Sequence, residues 1–264
     1  MGLSFRKHLG SSAGFNSGGL SNRGGGGLNS ILSKYGYTNA WSSENKTISG
    51  TTTTLLDYAN EHNLANPDAT SQPALNTTDS DFNNKPSFSF DEIADHFYKS
   101  VSNWRGSDQQ GEIISVFKPN GASGIMLASS DEAANDDFIS HGTNALTTRI
   151  ERISVGGTLR FITTNPLEDW TTYGSSVWAW RSNGSSFGLN VNGTEKTVNV
   201  TVGADDGTWF GDISNRDNIT IGARIKATNN FGNGKWCLTI YFATPLSSGN
   251  RTALINELKA YYGI

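Results

Sequence analysis

The sequence predicts an all-β domain: an antiparallel β-sandwich with one short C-terminal helix, preceded by an extended Gly-rich N-terminal arm. Three observations carry this expectation. Hydrophobic residues are only 35% of the 264 and charged residues 17%, while glycine alone contributes 30. That balance suits many short strands joined by polar turns, because Gly and Asn tolerate the positive φ that tight turns require. Beyond Pro86, short apolar or alternating runs recur between Gly, Asn, Asp and Pro, the spacing of a sandwich. Near the end, one segment has apolar residues at helical spacing between a serine and a glycine, which marks a capped helix.

Residues 1–34 form the arm. GLSFRKHLGSSAGFNSGGLSNRGGGG scatters Leu3, Phe5, Leu9, Phe15 and Leu20 among glycines, with Arg6, Lys7 and Arg23 and no acid before Glu44. Such a segment buries too little apolar surface to offset its ordering entropy alone. The expectation is an assembly arm that orders on a partner protein, with Gly24 to Gly27 as its joint. From Tyr35 to Ser87 the chain reads as irregular structure with at most a short helix, since Asn and Asp interrupt the spacing of Leu55, Tyr58 and Leu64.

The strands follow in order. EIISVFKP, from Glu112, is nearly continuous in apolar residues, as in a strand covered on both sides. GIMLASS, FISHG, ALTTRIERISV and TLRFITT come next. In SSVWAWRSNGSSFGLNVNGTEKTVNVTVG, Trp178 and Trp180 share a face, as do Phe187, Leu189 and Val191. Asn192-Gly193 supplies a hairpin turn, and Val198, Val200 and Val202 alternate with Asn199 and Thr201. In KWCLTIYFA, Trp236, Leu238, Ile240 and Phe242 are expected to point one way. Leu254, Leu258 and Tyr261 or Tyr262 then give the helix its apolar face, with Ser247 or Ser248 at its start and Gly263 at its end.

Charge and cysteine content narrow the function. A net charge of −4 provides no basic field for a phosphate backbone, so no nucleic-acid partner is expected. No run approaches the roughly 20 apolar residues of a membrane span, and the N-terminus lacks the apolar core of a signal peptide, so no membrane insertion is expected. With Cys237 alone there is no internal disulfide, and stability must come from packing.

Three stretches resemble one family. LLDYANEHNLANPDATSQPAL, NKPSFSFDEIADHF and the ending LNVNG, NITIGAR and YFATPLSSGNRTALINELKAYYGI are similar, in order and spacing, to laminin-G-like, concanavalin A-like jelly-roll domains. The resemblance spans roughly residues 35–264 and implies a jelly roll over that range. It also implies a strand turn at Asp91 to Asp95. Domains of this type with a Gly-rich arm and no catalytic motif are similar to structural and adhesion proteins of tailed bacteriophages. The resemblance therefore implies a non-enzymatic virion protein (a head fibre, decoration protein or tail adhesin), made in the host cytoplasm. Its arm would attach it to other virion proteins, a homo-oligomer is expected, and the jelly roll would contact a cell-surface or environmental glycan. The alternative is a stand-alone carbohydrate-binding module or lectin, and then a divergent glycoside hydrolase.

Candidate sites follow from chemistry. Glucanase-type catalysis needs paired acids on one strand face, and no E-x-D-x-x-E motif occurs, so no catalytic residue is expected. Sugar binding needs exposed aromatic rings beside polar groups. Trp104, Trp170, Tyr173 and Trp209 lie in the Gly-, Asn- and Asp-rich loops NWRGSD, NPLEDWTTYG and GADDGTWFGD, which nominates them. No cofactor is expected beyond a structural calcium, for which Asp91 and Asp95 are the candidate ligands.

Overall fold

The computed structural model describes residues 27–120, 124–134, 136–144, 149–164, 173–224 and 230–264. The arm residues Leu3, Phe5, Arg6, Lys7, Leu9, Phe15, Leu20 and Arg23, together with Trp170, lie outside the described residues.

Among the described residues, antiparallel strands form two large sheets and one small hairpin. The eight-stranded sheet runs in the order Thr194–Lys196, Phe187–Val191, Ser176–Ser182, Gly111–Pro119, Asn233–Phe242, Lys85–Asp91, Ala74–Asp79. Asn39–Ser42 also pairs with Asn233–Phe242. The ten-stranded sheet runs Val198–Val202, Thr158–Thr164, Arg149–Val155, Phe138–Asn144, Gly124–Ser130, Asn218–Ile221, Phe97–Ser100, Leu64–Ala65, Thr52–Leu55, Lys46–Ser49. Consecutive strands often sit in different sheets, the expected sandwich with crossing connections.

The strand Gly111–Pro119 shows why its sequence is so apolar. Ile113 and Phe117 face the core between the sheets, with Trp41, Phe88, Met126, Trp178, Trp180 and Trp236. Ile114 and Val116 face a second core on the other side of the same sheet. That second core is roofed by helix α1 (Leu28–Leu32) and helix α2 (Ser248–Tyr262). The cap residues of α2 are as expected: the Ser247 hydroxyl accepts from the Asn250 N–H at 3.2 Å, and Gly263 ends the helix at φ 71°. A buried ion pair fixes it to the sheet. Arg251 Nε and Nη2 donate to Glu112 Oε1 and Oε2 at 2.5 and 3.0 Å, and the Leu246 N–H donates to Oε2 at 2.8 Å.

Three expectations change. Residues 27–34, read as the end of the arm, belong to the domain. Leu28, Ile31 and Leu32 fall at i, i+3 and i+4 and are buried in the second core, and Lys34 pairs with Glu257. Trp236 faces away from Leu238, Ile240 and Phe242. The register shifts between Trp236, opposite Phe117, and Leu238, opposite Val116, so Cys237 bulges and the alternation slips. A similar shift at Thr201 separates Val202, 42% exposed, from Val198 and Val200, which pack on the core.

The hairpin at Asn192-Gly193 forms with φ of 55° and 91°, the left-handed pair that this dipeptide favours. Among the described residues no helix is long and apolar enough to cross a membrane.

Candidate functional site

Two of the nominated loops meet at one end of the sandwich. The Gly211 N–H donates to the Asp108 carbonyl at 2.6 Å, an approach that only a glycine allows, since a Cβ there would lie 2.8 Å from Asp108 backbone atoms. Arg216 ties the loops together from below. Its guanidinium donates to the carbonyls of Ile213 at 2.9 Å, Trp104 at 2.9 Å and Phe210 at 2.6 Å, and to Ser129 Oγ at 2.8 Å. Burial pushes its pKa down, and the convergent carbonyl dipoles hold the cation in place.

The tryptophans of these loops do not present ring faces. Trp104 is 2% exposed and Trp209 fully buried. Trp104 packs on Trp41, Phe210 and Tyr241. Trp209 Nε1 donates to the Tyr241 hydroxyl, which donates to Asp108 Oδ2 at 2.9 Å. Stacking of a sugar on either ring is thereby corrected: the rings close the open end of the core, where burial of so much aromatic surface outweighs any gain from exposure. Tyr173 is half-buried against Trp178, and its hydroxyl accepts from Lys196 Nζ. Nothing in the spacing of these loops distinguishes a ring folded inward from one folded outward.

The acidic turn is structural. Asp91 Oδ1 accepts from the N–H groups of Ile93, Ala94 and Asp95 at 2.8, 3.1 and 3.3 Å, the turn that the family resemblance implies. Burial, and then the Asp91 charge, raise the Asp95 carboxyl to about 6. One member of the pair is spent on backbone N–H groups, and among the described residues no group of three or more His, Cys, Asp or Glu could hold a metal.

What the loop end does form is a hollow of about 300 Å³ beside Arg105, lined among others by Glu61, His62, Asn103, Trp104 and Ser107. Its loop is strained, because Asn103 and Arg105 both take positive φ, 45° and 57°, which costs most at the arginine. Asp57 sets the facing loop: its carboxylate accepts from Asn39 Nδ2 and from the N–H groups of Ala40, Ala59, Glu61 and His62. Trp41 Nε1 holds the His62 carbonyl at 2.6 Å. Arg105 Nη2 donates to Asn39 Oδ1 and to Glu61 Oε2, the latter at 3.0 Å. Burial, and then nearby Lys99, lower the His62 pKa.

The residues around the hollow carry unspent hydrogen-bonding capacity. Trp104 Nε1, Arg105 Nε and His62 Nδ1 are buried with no partner among the described residues. Each such group costs about 1–3 kcal/mol; all three are enclosed by the protein and not open to the hollow. No aspect of NWRGSD or EHN in the sequence shows that these residues, 42 apart, meet.

A second concavity, over Lys118 and Lys235, is internally neutralised. The two lysines are directly opposite on neighbouring strands, a repulsive placement. Asp81 bridges both at 2.7 Å, and Asp79 takes Lys235 at 3.1 Å. This cluster latches the chain around Ser80–Phe82 to the sheet.

No protein-family model matches the chain, and no curated protein matches it. Solved structures do resemble it. A Trypanosoma rangeli sialidase in complex with sialic acid is similar over 84% of this chain, with a TM-score of 0.52 and 12% identity. The same sialidase with a difluoro-KDN compound gives 0.53 and 10% over 84%. The chain spans 33% of the length of each of those sialidase chains. A Ruminococcus gnavus IT-sialidase CBM40 bound to α2,3-sialyllactose covers 65% of this chain and 97% of its own at 13% identity, with a TM-score of 0.44. At these identities the likeness to the Trypanosoma chains shows the fold alone: this chain is a β-sandwich similar to part of a sialidase.

Proposed function

We propose that the chain is a non-enzymatic carbohydrate-binding β-sandwich that holds a glycan at the Arg105 hollow. The observation that carries this reading is the hollow itself, lined by Glu61, His62, Trp104 and Arg105 and framed by a loop in which Asn103 and Arg105 take positive φ. Such a site offers the partly exposed Arg105 guanidinium to ring, hydroxyl or carboxylate oxygens, and Glu61 offers an acceptor to hydroxyl hydrogens. Glu61 is the one carboxylate among the lining residues, whereas glycoside hydrolysis ordinarily uses two, which supports binding over turnover.

The fold neighbours support the carbohydrate-binding alternative drawn from the sequence better than the virion role, for which they give no support. The sialic acid of the Trypanosoma complex makes sialylated glycans the first class to test. A glycan array followed by calorimetry on the hits is the experiment. Binding that falls at least tenfold in Arg105→Ala, with the fold intact by circular dichroism, is expected. Absence of any hit on the array, or hits indifferent to Arg105, would overturn the reading. Release of free sugar from a bound glycan would overturn the non-enzymatic part alone.

A further inference from the structure

The hollow does not end at Arg105. Ser107 lines it and also lines a neighbouring depression of about 480 Å³ that includes Asp108, Gln109, Gln110, Asn183 and Thr244. Gln109 and Gly184 in turn line a third, of about 340 Å³, with Asp206, Thr208 and Asp212. The three concavities adjoin through these shared residues, in the order of a trench along the end of the sandwich. Each has the size of a small-molecule site.

The chemistry changes along it. At the Arg105 end the lining carries a guanidinium, paired with Glu61 and partly exposed. Further along, the carboxylates are already committed. Asp206 is held by Arg160 and Thr208, Asp108 accepts from Tyr241, and Asp212 accepts from the Trp209 N–H. What remains exposed between them are the amides of Gln109 and Gln110, whose side chains make no hydrogen bond among the described residues. Primary amides donate and accept at once, which suits neutral hydroxyls. The adjacent carboxylates discourage a second anionic unit.

We infer that the site takes an extended oligosaccharide: one acceptor-rich or acidic unit at the Arg105 hollow, continued by neutral hydroxylated units along the trench past Gln109 and Gln110. This rests on the glycan-binding reading above and adds the ligand's length, direction and charge pattern. Binding energy is then distributed over several weak polar contacts, and affinity grows with chain length.

The test uses the full chain and two ladders of probes. One is N-acetylneuraminic acid, α2,3-sialyllactose and that trisaccharide extended by further neutral sugars. The other is a neutral oligosaccharide series of matching lengths. Affinity is expected to rise at least tenfold from the shortest binding probe to the longest. The double variant Gln109→Ala, Gln110→Ala should remove that rise while leaving the shortest probe's affinity unchanged. Backbone NMR shifts at Gly184 and Thr208 should respond to long probes only. Affinity that is flat with length, or a rise that survives the double variant, overturns the inference and leaves the hollow standing as a one-unit site. No binding by either ladder and no array hit removes the glycan reading itself, and the inference with it. Stronger binding to a chain acidic throughout its length overturns the charge pattern.

Discussion

Arg216 and Arg105 both touch Trp104, yet their surroundings are opposites. Arg216 is almost fully buried and spends its guanidinium on three backbone carbonyls and Ser129. Arg105 holds Asn39 and Glu61 through a single nitrogen, leaves Nε without a partner among the described residues, and sits at φ 57°. An arginine whose donors are all matched is part of the scaffold. One that is strained and half-matched is where the proposed binding role can be separated from a scaffold role by mutation. The matched arrangement recurs on the helix-covered side of the eight-stranded sheet, where Arg251 and Glu112 satisfy each other.

The largest effect should come from breaking a matched group. Arg216→Ala strands three carbonyls and uncouples the two loops, and a loss of about 3–5 kcal/mol is expected by urea denaturation. Arg251→Ala leaves Glu112 buried and unpaired and should cost a similar amount, about 3–5 kcal/mol. Replacing both members, as Glu112→Met with Arg251→Met, should cost less than the single change. If the double variant is the worse of the two, the pair contributes net stability and the scaffold reading of matched charges becomes stronger still.

The half-matched arginine should behave the other way. Arg105→Gly relieves about 1 kcal/mol of left-handed strain while losing a part-buried hydrogen bond to the buried Asn39 and an exposed one to Glu61, so the melting temperature should fall by less than in Arg216→Ala. Glycan affinity should nevertheless fall at least tenfold. A large drop in melting temperature would mean that Arg105 is a second Arg216, and the contrast would fail. Trp104→Phe is a finer cut: it removes part of the ring packed on Trp41, Phe210 and Tyr241 beneath the hollow, so stability should fall by about 1–3 kcal/mol and affinity by a few-fold.

Much of the fold was legible because it rests on local rules. Ser247, Gly263 and Asn192-Gly193 report their own backbone geometry, and the unbroken apolar run at Ile113 to Phe117 reports cover on both faces. What failed was any inference that counts residues across a bulge: the shifts at Cys237 and Thr201 reversed the facing of Trp236 and Val202 with no mark in the sequence. The site was half legible. Its loops were picked out by Gly, Asn and Asp around Trp104 and Trp209, but the direction of those rings depends on the open end of a core that only the assembled sheets create. His62, Glu61 and Arg105 come together through Asp57 and Asn39, a contact network with no periodicity to read.

The same contrast holds for carboxylates and gives a smaller effect with a definite sign. Burial works to raise Asp206, but Arg160 and Thr208 outweigh it and hold the carboxyl down at about 2. Its contribution to stability is therefore present above pH 4 and lost as pH falls through its folded value. Asp95 is the unmatched case, raised to about 6 by burial and by Asp91. Between pH 4 and 6 the folded state holds a proton that the unfolded chain has released, so stability falls as pH rises through that window and then levels off. Solvent screening limits the effect to about 1 kcal/mol. Asp95→Asn should recover about that much at pH 7 and flatten the profile between pH 4 and 6, read from urea midpoints across the range. A profile in Asp95→Asn identical to that of the parent chain would show Asp95 to be as well matched as Asp206, with partners that its turn does not display.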